Sequence, residues 1–144
     1  MTSSPHTCQA RLPAELNSRI ADLKKLWAMY CNDAESDDEH LGNLYEYGLS
    51  FDYVAAGTFD GQKEGYFRYQ LSWGGPSDEF RIFVNPDFCA HRVEYWFLDW
   101  FDGAHLVLTG EQEQLLEEIY TGFFLDSGVA QARYEEARQQ EGSA

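Results

Sequence analysis

The stretch EYWFLDWFDG, residues 94–103, decides how this chain folds. In an extended strand successive side chains point to opposite faces. Trp96, Leu98 and Trp100 therefore share one face, and Tyr95, Phe97, Asp99 and Phe101 share the other. Both faces are apolar, so the strand belongs inside a sheet that is covered on both sides. Asp102 and Gly103 mark the turn that ends it.

The same alternation appears on either side of this segment. Leu49, Phe51 and Tyr53 alternate with Ser50 and Asp52. In YFRYQLSW, residues 66–73, Phe67, Tyr69, Leu71 and Trp73 oppose Tyr66, Arg68, Gln70 and Ser72. In EFRIFVN, residues 79–85, Phe80, Ile82 and Val84 oppose Arg81 and Phe83. Glycine- and proline-rich connectors separate these runs (57–65, 74–78 and 85–91), and AHLVL, 104–108, reads as a short fifth strand or a lead-in. Short connections give antiparallel neighbours, because parallel ones need long crossovers.

Helices flank the strands. Leu12, Leu16, Ile20, Leu23, Trp27 and Tyr30 recur at three and four, and Pro13 suits a first helical turn. Thr109 with Gln112 forms a capping-box pattern ahead of Leu115, Leu116, Ile119, Tyr120, Phe123 and Phe124. Ser127 caps a last helix to about Gln139, whose thin apolar content predicts loose docking. The expected organisation is a leader over 1–11 and one α+β domain over 12–144. That domain is an antiparallel meander of four to five strands with an N-terminal helix and C-terminal helices packed on it.

Composition bounds the function. Twenty-five acidic against 10 basic residues give a net charge of −15. Such a surface repels nucleic acid and anionic membranes and suits a basic protein surface, including that of a nucleic-acid-binding protein. Three cysteines without paired spacing fit free thiols, and no run approaches the length of a membrane span, so a cytoplasmic setting is expected.

Motifs for chemistry are weak. Asp33, Glu35 and Asp37 have calcium-loop spacing, but Asp38 stands where the loop needs glycine and Leu44 where it needs glutamate. Cys89 and His91 share a face without a third orienting group. His6, His40, His91 and His105 are scattered, so no zinc set forms. Neither a phosphate-binding loop nor a nucleophile elbow is present, and the pair Asp99 and Asp102 is a weak acid–base candidate. No catalytic, cofactor or metal residue is assigned.

The segments LYEYGLSFDYV, GYFRYQLSWGGPSDEFRIFVNPDF and VEYWFLDWFDGA, within residues 44–104, resemble small acidic accessory proteins of bacterial plasmids and integrative elements. The resemblance implies a genetic setting, in which such proteins often act by binding host proteins.

These readings converge on a non-enzymatic interaction module, an inhibitor or DNA-mimic-like factor acting on a basic host or plasmid protein. Its candidate contact residues are Asp33, Glu35, Asp37, Asp38 and Glu39 in the acidic loop, with Tyr95, Phe97, Asp99, Phe101 and Asp102 on the decisive strand. That set supposes the tryptophans face the helices; the opposite assignment leaves the tryptophans outside. The alternatives are a small-ligand binder or enzyme with an aromatic pocket between the sheet and the last helix, and a homodimer through an uncovered sheet face.

Overall fold

A computed structural model describes residues 7–142. Helix α1, Cys8–Asn32, is followed by one short turn of helix, α2, Leu44–Tyr47. Five strands come next: β1 Ser50–Val54, β2 Tyr66–Ser72, β3 Ser77–Val84, β4 Ala90–Asp99 and β5 Asp102–Val107. Helix α3, Gly110–Ile119, runs on into a π-helical segment, Tyr120–Leu125, and α4, Val129–Gly142, closes the chain. The fold is α+β, and the sheet is an antiparallel meander in the order β1-β2-β3-β4-β5.

The core lies between one sheet face and the helices. Phe51, Phe67, Tyr69, Phe80, Ile82, Val93, Tyr95 and Phe97 project from the strands, and Leu12, Leu16, Leu23 and Leu26 from α1 meet them with Leu116, Ile119, Tyr120 and Phe124. Phe124 stacks flat on Phe51 at 4.0 Å. The parity of β4 is thereby fixed: Tyr95 and Phe97 are buried beneath the helices, and Trp96 lies on the opposite face. This corrects the expectation that Tyr95 and Phe97 meet a partner, since neither presents any surface.

α1 starts a turn earlier than its apolar pattern suggests. Thr7 caps it, its hydroxyl accepting from the Ala10 amide at 3.1 Å, and the Asp102 carboxylate accepts from the Cys8 amide at 2.7 Å. Residues 8–11 are therefore helix and not leader, and Pro13 falls in the second turn; residues 1–6 of the expected leader lie outside the described residues.

Two further expectations change. A β-bulge between Gln70 and Ser72 turns the end of β2, so Trp73 leaves the core face and stands exposed. Thr109 makes no side-chain cap bond, because Gly110 at φ 60 breaks the turn that would aim its hydroxyl at Gln112.

α4 docks on the helix-covered face. Ala130 is buried, and the Tyr134 ring meets Tyr53 and Phe88 edge-on at 4.9 and 5.3 Å. The sheet's other face thus receives no helix among the described residues.

Candidate functional site

What covers that second face is a layer of arginine side chains. The Arg81 guanidinium lies 3.7 Å from the Trp96 ring centre and 4.8 Å from that of Tyr66. Arg92 lies 3.9 Å over Phe83. Trp96 in turn stacks on His105 at 4.0 Å with an interplanar angle of 6°. Carboxylates hold the guanidinium groups in place: Glu79 accepts from Arg81 at 2.8 Å, Glu94 and Glu64 from Arg92, and Asp52 from Arg68. Long cationic side chains lay apolar stems and planar heads along rings while keeping polar edges toward water. A face that reads as needing a second layer of protein is largely covered by its own side chains, which leave a cleft of about 410 Å³ beside the 59–64 loop, lined by Arg81, Arg92, Trp96 and His105.

The acidic loop is exposed, but three of its five candidate carboxylates are engaged locally. Asp33 accepts from the Glu35 amide, and Asp37 accepts from the Asn43 side-chain amide. Asp38 accepts from the His40 and Leu41 amides and pairs with Lys25 at 2.6 Å. Hydrogen bonding from Lys25 leads the causes that hold the Asp38 carboxyl down at about 2. Glu35 and Glu39 point into solvent.

Asp99 and Asp102 lie at the opposite end of α1. Asp99 accepts from Arg11 at 2.6 Å, and Asp102 caps the helix. The bond from the Cys8 amide lowers the Asp102 carboxyl below the ordinary carboxylate range. A helix of 25 residues separates the two acidic groups by roughly 37 Å. The structure therefore does not bring the ten candidate residues together.

Phe101 stands apart from the other candidates. β4 and β5 are joined by the two residues Trp100 and Phe101, which are 86% and 105% exposed. Trp100 has φ 57. The β2–β3 turn lies alongside: a Cβ on Gly75 would stand 3.5 Å from the Trp100 indole nitrogen. Trp73, 78% exposed, leads into that turn. One end of the sheet thus presents three large rings to solvent. Alternation drew attention to Phe101 but placed Trp73 and Trp100 in strands; their exposure follows from the bulge and the tight turn.

Cys89 sits in an exposed turn beside Asp87, whose carboxylate raises the thiol above its ordinary range, the reverse of an activated nucleophile. Among the described residues no group of three His, Cys, Asp or Glu side chains is placed to hold a metal ion. Tyr134 fills part of the space between the sheet and α4, and a shallow cleft of about 440 Å³ lies beyond it, lined by Asp52, Tyr53 and Arg68 with Ala137 and Gln140. Near the start of α4 lies a smaller recess of about 220 Å³, lined by residues including Phe51, Tyr69 and Phe123. No helix of the described chain is long and apolar enough to cross a membrane.

Comparison with protein-family models, with curated proteins and with solved structures finds no match for this chain.

Proposed function

We propose that this protein is a non-enzymatic interaction module that docks on a partner protein through Trp73, Trp100 and Phe101. The observation that carries the reading is Trp100. A bulky residue at φ 57 bears a backbone cost that glycine would avoid, on the order of 1–2 kcal/mol. Its ring is also left almost wholly in water. The two-residue turn sets this backbone and exposes the ring, but it favours glycine or asparagine and gives no reason for tryptophan, whereas tryptophan and tyrosine dominate the contact centres of interfaces. The net charge of −15 directs the module toward a basic partner surface by long-range attraction. The resemblance of residues 44–104 to accessory proteins of mobile elements makes a host or plasmid protein the natural partner. The reading does not use a band of DNA-like carboxylates, because the acids named for it are divided between the two ends of α1.

Trp100→Gly separates binding from folding. The variant is expected to be more stable than the parent by about 0.5–1 kcal/mol in urea denaturation, from relief of the left-handed strain. A photo-reactive residue at position 101 is expected to crosslink one bacterial protein in the parent background and not in the Trp100→Gly background. A crosslink that survives Trp100→Gly, or a variant that unfolds more readily, counts against the hairpin end as the contact surface.

A further inference from the structure

A second surface, independent of the hairpin end, lies between α1 and α3. The two helices leave a groove of about 570 Å³ with Ile20 and Trp27 on one side and Leu115 on the other. The floor is fixed, because Trp27 rests on Gly122, where an added Cβ would stand 2.7 Å from the ring. Glu111 and Glu118 line the α3 side, opposite Lys24.

The charge of α3 is only partly explained within the helix. Ten residues, GEQEQLLEEI, carry Glu111, Glu113, Glu117 and Glu118 and no cation. Glu111 and Glu113, in the first turn, complement the positive end of the helix dipole. Glu117 and Glu118 lie near the negative end, where carboxylates are unfavourable, and Glu113 and Glu117 form a like-charge pair at i, i+4. None of the four is in an ion pair among the described residues. Only Glu111 and Glu118 line the groove; Glu113 and Glu117 lie on another side of α3. An apolar floor beside the unpaired Glu111 and Glu118, in a chain of net charge −15, suits an occupant with apolar residues on one side and cations on the flank that faces α3.

The dimensions specify its form. From Ile20 to Ala28 α1 rises roughly 12 Å, and from Glu111 to Glu118 α3 rises roughly 10 Å. Two turns of a third helix have that length, with apolar anchors at i, i+3 or i+4, and i+7. We propose that the α1–α3 groove binds an amphipathic helical segment of a partner protein, with Lys or Arg flanking its apolar stripe. A second copy of this chain is a poor occupant, since it brings another net charge of −15. The inference goes beyond the hairpin-end reading and does not depend on it.

The probe is a synthetic, end-blocked 16-residue peptide with leucines at helical anchor spacing and lysines or arginines elsewhere, compared with a scrambled peptide of the same composition. Fluorescence anisotropy with the full chain is expected to show the ordered peptide binding at least about tenfold tighter than the scrambled one. Glu111→Gln with Glu118→Gln is expected to weaken it about fivefold, the scale of two exposed charge pairs, and to flatten its salt dependence. Ala28→Arg places a cation at an exposed groove position and is expected to abolish the preference for the ordered peptide. Trp100→Gly is expected to change nothing. The proposal is overturned if the two peptides bind alike, if the ordered peptide does not bind, if the groove variants have no effect, or if Trp100→Gly removes binding.

Discussion

Asp78 shows how much a single buried carboxylate can organise. It is 1% exposed and joins four elements. Arg19 of α1 donates to its two oxygens from Nε at 2.7 Å and Nη2 at 3.0 Å; the Tyr95 hydroxyl of β4 donates at 2.7 Å, and Ser72 of β2 donates a further short bond. Arg19 also donates to the Tyr47 hydroxyl, which donates to Asp22. Removing one member of a buried pair leaves the other charged and uncompensated, which costs about 3–5 kcal/mol. Asp78→Ala is therefore expected to lower stability by about 3 kcal/mol, toward the small end because the Arg19 side chain retains 22% exposure. A shift of less than about 1 kcal/mol in urea denaturation contradicts this role. None of this was legible in the sequence. Asp78 closes a GGPSD connector that reads as a turn, and its partner Arg19 is 59 residues away. The parity of Trp96 against Tyr95 was legible, but the side bearing the helices was not, because period-two alternation is blind to which face is covered.

At the scale of elements, strands were read more reliably than helix ends. Alternation is local, and it located four strands, leaving the segment of β5, Asp102–Val107, open between a fifth strand and a lead-in. Helix ends depend on partners: the start of α1 is fixed by Asp102, 94 residues from Cys8. The arginine layer on the open face was hidden for a related reason. Alternation put Arg68 and Arg81 on the strand faces opposite Phe67 and Phe80, and only the register places Arg81 between rings of β2 and β4. If these side chains cover the sheet, Arg81→Ala must cost more than an ordinary surface substitution. The expected loss is about 1–2 kcal/mol, from stacking and the covered ring surface. Arg81→Lys is expected to recover less than half, since an ammonium group lacks the flat surface that lies on Trp96. Equal stability for the lysine variant and the parent, by thermal and urea unfolding, reduces the layer to simple charge pairing.

For the whole molecule, the aromatic core and the acidic surface together predict a stability limit at high pH. Burial pushes the Tyr47 hydroxyl up to about 12, and it pushes those of Tyr69, Tyr95 and Tyr120 further upward. Tyr95 donates to Asp78 and Tyr120 to the Phe88 carbonyl, bonds that require the protonated hydroxyl. In the unfolded chain tyrosine ionises near pH 10. A folded-state value above the unfolded one means that the native state holds its protons more tightly. Stability from these four groups is thus fully present below about pH 10 and declines as pH rises beyond it, by up to about 1.4 kcal/mol per pH unit for each. Every proton released also adds negative charge to a chain already at −15, which steepens the decline through self-repulsion. The expected result is cooperative unfolding between about pH 10 and 12, with tyrosinate absorbance and loss of near-ultraviolet dichroism rising together. Added salt should move the midpoint upward by screening the surface charge. If the tyrosines instead titrate one by one while the dichroism holds, they are not sealed in the core, and the packing of the helices on Tyr69, Tyr95 and Tyr120 is looser than the buried rings require.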